Sequence, residues 1–259
     1  MVQEKVYKSP SADECMRRSL EYSLEEFDSF IRGIKKMSTL IQSEKPDYIF
    51  APVIGSVPFI DLLFIVDRHF PLGIVEYPPN SSRFSNREEL IERWYKNFLE
   101  KNYSGEKMKI INIDEVISGS SAVKGYTEFM RELNRFSKER KELKIRKKIK
   151  YKVIGIGEQP QYGGRTPPFT TLRNSNKLYL IDTKKILTAD NIFLNPIRLK
   201  ICGEHEGRHI YLPEIERFEA TKEYMNLLCN AATYVGKDPS SVSPQNFEKI
   251  QESLSKYLS

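Results

Sequence analysis

The sequence predicts an α/β fold, a mostly parallel five-stranded sheet flanked by helices, with additions at both ends of the chain. Three observations carry this. Short runs rich in Ile, Val and Tyr alternate with longer segments whose apolar residues recur every three or four positions. The runs end in Gly, Ser or Pro turns that lead directly into helices, as βαβ crossovers require. From about Asn191 onward the alternation stops, which sets the C-terminal part apart.

Taken in order, Ser11 to Lys45 predicts a helix, because Met16, Leu20, Leu24, Phe27, Phe30, Ile31 and Ile34 keep helical spacing and Pro46 closes it. KPDYIFAPVIG predicts the first strand, ending at Gly55, and VPFIDLLFIVDRHF an apolar helix behind it, with His69 at its end near Pro71. LGIVEYP is the second strand. Pro78 to Asn86 is a turn-rich loop, and REELIERWYKNFLEKNY an amphipathic helix carrying the single tryptophan, Trp94. KIINIDE is the third strand, followed by a helix from about Ala122 to Glu142. YKVIGIG is the fourth strand, EQPQYGGRTPPF a Gly/Pro loop, and NKLYLID the fifth strand. LKICGEHEGRHIYL predicts a hairpin, with Pro213 ending its second strand. Two helices finish the chain, the last starting at Ser243-Pro244 with Ser as cap and Pro at the first helical position. The expected organisation is an N-terminal helical segment (1–45), an α/β core (46–190) with a helical insertion at about 78–107, and a C-terminal hairpin with helices (191–259).

At 259 residues, with 39% hydrophobic and 29% charged residues, the composition is that of an ordinary globular protein. The longest apolar run, Pro58 to Val66, contains Asp61 and falls short of the roughly 20 residues a membrane helix needs. The first residues, MVQEKVYKSPSADE, carry no apolar core of a secretory signal, and Cys15, Cys202 and Cys229 lack CxxC spacing. A cytoplasmic protein with reduced thiols and no membrane partner is expected. The net charge of +6 is concentrated: Arg135 to Lys152 holds ten Lys/Arg against two Glu, a local +8. Such a stripe is either a solvated helix face or a surface for nucleic acid. His205-Glu-Gly-Arg-His209 matches the H-E-x-x-H zinc pattern, but Gly203 and Gly207 oppose the helix that pattern needs. No zinc is expected.

The chemistry concentrates in KIINIDEVISGSSAVKGY, Lys109 to Tyr126. A strand-to-helix turn made of Ser118, Gly119, Ser120 and Ser121 offers backbone N–H groups and hydroxyls at the positive end of a helix dipole, which suits a phosphate. Asp114 and Glu115, just before it, can accept hydrogen bonds from sugar hydroxyls. Acids for a ribose beside a cradle for its 5′-phosphate describe a ribose-5-phosphate site. In parallel sheets such sites lie beyond the carboxyl ends of the strands.

This segment resembles the 5-phosphoribosyl-1-pyrophosphate (PRPP) motif of type I phosphoribosyltransferases: an apolar strand, two acids, then a small Ser/Thr-Gly loop opening a helix. YIFAPVIGSVPF is similar to that family's first strand and pyrophosphate loop, which often carries a non-proline cis peptide near a Gly. The resemblance implies that Asp114 and Glu115 are catalytic, that Ser118 to Ser121 hold the 5′-phosphate, and that Val53, Ile54, Gly55 and Ser56 present N–H groups to pyrophosphate. It implies Mg²⁺ carried with PRPP, with no confident protein ligand, and a hood over the site from the N- and C-terminal additions. It implies a mobile loop between the second and third strands, where Ser82, Arg83, Arg87 and Lys107 are candidates to reach pyrophosphate. It also implies a base pocket, for which Tyr162, Arg165 and Phe169 are candidates. Only Val116 and Ile117 separate the acids from Ser118, one residue fewer than the family pattern, which leaves the register of the acids against the loop open. Two readings follow. One is an enzyme transferring a phosphoribosyl group to or from a nitrogenous base. The other is a non-catalytic module that senses PRPP or a nucleotide and acts through a protein partner, a second copy of the chain, or nucleic acid bound at 135–152.

Overall fold

The structure, a computed structural model, describes residues 22–258 except 82–83, 85, 143, 159–166, 189–193, 196–197, 206–207 and 215–218. Five parallel strands form the central sheet in the order β2-β1-β3-β4-β5. They are β1 (Tyr48–Phe50), β2 (Val75–Glu76), β3 (Met108–Glu115), β4 (Ile149–Glu158) and β5 (Leu178–Thr183). The order reverses between β1 and β3, and a crevice opens at the carboxyl ends of strands beside such a switch point.

Helices cover both faces. On one side lie α1 (Leu24–Glu44) and α2 (Val57–Val66), together with α7 (Lys222–Tyr234) and α8 (Phe247–Leu258) from the C-terminal part. On the other side lie α3 (Arg87–Asn102), α4 (Ser120–Glu139) and α6 (Pro167–Asn174), with the short α5 (Ile145–Lys148) leading into β4. Burial on both faces explains why β3 and β4 read as nearly continuous apolar runs. Successive residues alternate between the two cores: Ile111 and Ile113 join the first, Met108 and Ile110 the second.

The C-terminal part adds two small antiparallel pairs. These are β6 (Leu194–Asn195) with β9 (Glu219–Ala220), and β7 (Arg198–His205) with β8 (Arg208–Glu214). The H-E-x-x-H segment is therefore a hairpin, with His205 paired to Arg208 and His209 to Glu204. Pro213 does not end β8, which continues to Glu214 and pairs Pro213 with Leu199.

Several boundaries differ from expectation. The first described helix begins at Leu24, and Met16 and Leu20 lie outside the described residues. Ser23 stops the helix by a reciprocal cap: Glu26 N–H donates to Ser23 Oγ at 3.1 Å and Ser23 N–H to Glu26 Oε2 at 2.7 Å. This helix is a layer of the core, not a hood; Gly33 lets it lie on β5, where a Cβ would come within 2.8 Å of Thr183. The Gly/Pro segment before β5 contains α6, with two prolines in its first turn, where a missing N–H costs nothing. The last helix starts at Phe247, not Ser243, and Gln245 N–H ahead of it donates to Asp61 Oδ1 at 2.9 Å. The helix after β3 ends at Glu139, and Lys141 takes a left-handed φ of 55° before α5. No helix among the described residues is long and apolar enough to cross a membrane.

Candidate functional site

Two strand-to-helix loops meet at the switch point. The first leaves β1 and runs Ala51 to Ser56 into α2, with a cis peptide between Val53 and Ile54. The second leaves β3 and runs Val116 to Gly119 into α4. Ser56 ties the first loop to β3: it is fully buried, and its Oγ donates to Ile113 O at 2.9 Å. On the same side, a Cβ on Gly55 would stand 3.7 Å from Glu115 Oε2, and Thr188 Oγ1 lies 3.4 Å from that oxygen.

Of the four N–H groups expected to meet pyrophosphate, two are committed within the protein. Val53 N–H donates to Pro78 O at 3.0 Å, and Ser56 N–H to Pro52 O at 3.1 Å. Among the described residues, the N–H groups of Ile54 and Gly55 have no backbone partner. Gly55 is exposed, so the loop offers donors at its tip.

The second loop is shaped by Gly119. Its φ of 82° is left-handed, and it serves as N-cap of α4. Ser118 Oγ accepts from Ser120 N–H at 3.3 Å and lies 3.1 Å from Ser120 Oγ. The side chains of Ser118 and Ser120 face solvent, and Ser121 is half-buried. Beyond Ser120, whose N–H is held by Ser118, the first turn of this 20-residue helix keeps N–H groups without intrahelical partners, as every helix start does.

The alternation of β3 resolves the register of the acids. Glu115 follows Ile111 and Ile113 toward the α1/α2 side, where Gly55 and Thr188 stand. Asp114 follows Ile110 and Asn112 toward the α3/α4 side and is 5% exposed. The two carboxylates therefore point to opposite faces of the sheet and do not form one pair facing one hydroxyl. Burial, and next the charge of Glu115, push the Asp114 carboxyl up to about 8, while Arg87 acts against both. Burial thus favours the neutral form of Asp114, and its Oδ2 is buried without a hydrogen-bond partner.

The remaining candidates divide sharply. Ser82, Arg83, Tyr162 and Arg165 lie outside the described residues. Arg87 is not on a mobile loop: it heads α3 and turns inward, with Nε donating to Asn80 Oδ1 at 2.7 Å. Lys107 precedes β3, at the amino end of a strand of eight residues, so it lies about 25 Å from the carboxyl edge and does not reach the site. Phe169 is buried, and its ring covers Gly119; it is a packing residue of the Ser/Gly loop, not a face for a base. The helix of the 78–107 interval is equally internal. Trp94, Tyr95 and Phe98 are buried around Phe50, and Trp94 stacks on Phe98 with centroids 5.4 Å apart.

Sequence reasoning missed Asn80, Thr188 and the hydroxyl of Ser56. Only a strand-end serine following a glycine hinted at the last, since the contacts of the other two span long stretches of chain.

The basic stripe is partly neutralised. Arg135 pairs with Glu92 and Glu132, Lys148 with Glu142 at 2.9 Å, and Lys152 with Glu44 at 2.6 Å. Lys138, Arg140, Lys141, Lys144, Arg146, Lys147 and Lys150 are exposed and make no ion pair among the described residues. They lie from the end of α4 to the start of β4, away from the carboxyl edge.

Comparison of the chain with protein-family models, with curated proteins and with solved structures gives no match.

Proposed function

We propose that this protein is of the type I phosphoribosyltransferase kind, binding PRPP or a ribose-5-phosphate nucleotide at the carboxyl edge of β1 and β3 and transferring the phosphoribosyl group to or from a nitrogenous base. The observation that carries the reading is the convergence of a donor-bearing loop, tied to β3 by Ser56, and a Ser/Gly helix start on one switch point, flanked by Glu115. The ribose 5′-phosphate sits on the N–H groups at the start of α4, and the pyrophosphate meets Ile54 and Gly55. Glu115, the more accessible acid, accepts from ribose hydroxyls. Burial favours the neutral form of Asp114 beneath the loop, which spares an anionic ligand a second negative charge.

The chemistry is loss of pyrophosphate from C1′ with positive charge growing on the ribose ring, so the chain's contribution is to hold both ends of the ligand and stabilise that charge. Glu115 faces the ring for this task. Mg²⁺ would arrive with PRPP and neutralise the pyrophosphate it accompanies, as hard cations bound mainly by phosphate oxygens and water do, with few ligands from the chain.

Calorimetry with PRPP and Mg²⁺ tests this. Glu115→Gln and Ser121→Ala are expected to weaken binding about tenfold or more each, as loss of charge-assisted or phosphate hydrogen bonds does. Affinity unchanged in both reduces the loop to a plain turn. Turnover is then read as pyrophosphate release over a panel of nitrogenous bases.

A second reading, a nucleotide-sensing module acting through nucleic acid, is favoured by one observation, the seven exposed cations between Lys138 and Lys150 that make no ion pair among the described residues. Reversing three of them (Lys144→Glu, Arg146→Glu, Lys147→Glu) is expected to lower affinity for mixed-sequence DNA and to reduce the salt slope by about 2 to 3. PRPP binding should be unchanged, because these residues lie away from the carboxyl edge. Equal DNA affinity at low salt eliminates this reading.

A further inference from the structure

Arg87 is an unusual residue to find turned inward at a helix start. The positive end of a helix dipole disfavours a cation, and burial lowers the pKa of this guanidinium. Its Nη2 is buried and makes no hydrogen bond, and the same holds for Asp114 Oδ2, its strongest charged neighbour. A half-buried, half-satisfied arginine costs stability that a methionine of similar length would not. Its placement therefore calls for a role beyond packing.

The contacts point to that role. Arg87 Nε holds Asn80 Oδ1 at 2.7 Å, and Asn80 Nδ2 donates to Ser121 O at 3.2 Å, in the first turn of α4. Gly125, one turn later, leaves the space Asn80 fills: a Cβ there would lie 2.9 Å from Asn80 Nδ2. Tyr95 Oη then donates to Gly125 O at 3.3 Å. One chain of bonds thus runs from the head of α3 to the Ser/Gly loop, and the arginine at its root stands beside the last buried acid of β3.

We propose, resting on the ribose-5-phosphate reading above, that Arg87 is a positioning residue of this site, fixing the phosphate-binding turn of α4 through Asn80 with its guanidinium held beside the Asp114 carboxyl. The groups facing Asp114 are Glu115 from its own strand, Arg87 and Tyr95 from α3, and Tyr151 from β4, with Glu128 of α4 acting on Arg87 and Tyr95. Arg87 is the one cation among them.

The test uses the full chain without ligand first. Carbon-13 NMR of the carboxyl groups, with Asp114→Asn to assign the signal, follows the Asp114 titration. Amide exchange follows the first turns of α4. Arg87→Met is expected to raise the Asp114 midpoint by about one pH unit or more, since the attracting cation is gone. Asn80→Ala is expected to speed exchange at Gly125 and Tyr126 about tenfold. Arg87→Lys keeps the charge but not the planar fork, so it should hold the midpoint while losing the protection. A midpoint unmoved in folded Arg87→Met, or protection unchanged in Asn80→Ala, overturns the proposal. With PRPP and Mg²⁺ added, Asn80→Ala and Arg87→Lys should bind about tenfold more weakly than wild type. Wild-type affinity in both also overturns it. Failure of wild type to bind PRPP removes the ribose-phosphate reading instead, and the two ligand-free readouts still decide the role of Arg87.

Discussion

Gly119→Ala is expected to cost roughly 2 to 5 kcal/mol of stability and to abolish tight PRPP binding, from two independent causes. The first is the backbone. A φ of 82° is left-handed, and any residue with a Cβ loses about 1 to 2 kcal/mol there relative to glycine. The second is space. The new Cβ would lie 2.2, 2.8 and 2.9 Å from three atoms of the Phe169 ring. That ring is 2% exposed and belongs to the core between α4, α6 and the sheet, so it has nowhere to swing. Forcing an extra carbon into such a core costs about 1 to 3 kcal/mol. Denaturant midpoints measure the sum. Adding Phe169→Leu to Gly119→Ala should recover the steric part and leave the backbone part, a coupling that two distant sites would not show. A loss below about 1 kcal/mol in the single variant means that the loop relaxes and that Phe169 does not lock it.

The same contact shows why parts of the site were legible in the sequence and others were not. β3 and β4 could be read because burial on two faces leaves a long apolar run, and the helices α3 and α4 because one face repeats at helical spacing. The opposed directions of Asp114 and Glu115 were also present in the sequence, as the two-residue period of Ile111, Ile113 and Glu115 against Ile110, Asn112 and Asp114. The Ser-x-x-Glu signature at Ser23 and the paired prolines at Pro167 and Pro168 were local signals of helix starts, hidden by a continuing apolar period in one case and a Gly-rich neighbourhood in the other. The packing of Phe169 on Gly119 and the inward turn of Arg87 toward Asn80 had no local signal. They depend on how distant elements stack, and both converted candidates for ligand contact into residues that shape the site. Lys107 failed for a simpler reason: in a parallel sheet, a residue that enters a strand stands at the edge opposite the one where ligands bind.

The second large effect concerns Asp61, the one charge in the apolar run of α2. Its carboxylate accepts from the hydroxyl of Tyr224 on α7 and from Gln245 N–H ahead of α8, so it ties the C-terminal helices to the core. Burial raises its pKa from 3.8 to about 6, and the two hydrogen bonds only partly oppose this. Because the folded state holds this proton more tightly than the unfolded chain, its contribution is complete below about pH 4 and is lost as pH rises through about 6, on the order of 3 kcal/mol in all. Asp61→Asn keeps a neutral group of the same shape. The stability of that variant relative to wild type should therefore improve by roughly 2 to 3 kcal/mol between about pH 4 and about pH 7.5. Asp114, whose carboxyl is raised in the same direction, is present in both proteins and cancels in the difference. Asp61→Ala leaves the buried Tyr224 hydroxyl and the Gln245 N–H without their acceptor and should be destabilised by roughly 1 to 3 kcal/mol at about pH 4, the deficit shrinking as pH rises just as for Asp61→Asn. Chemical denaturation at a series of pH values separates the outcomes: parallel wild-type and Asp61→Asn curves would mean that Asp61 titrates as an exposed acid does. A rising difference identifies a carboxyl kept inside the protein for the hydrogen bonds it accepts, at a cost that neutral pH makes visible.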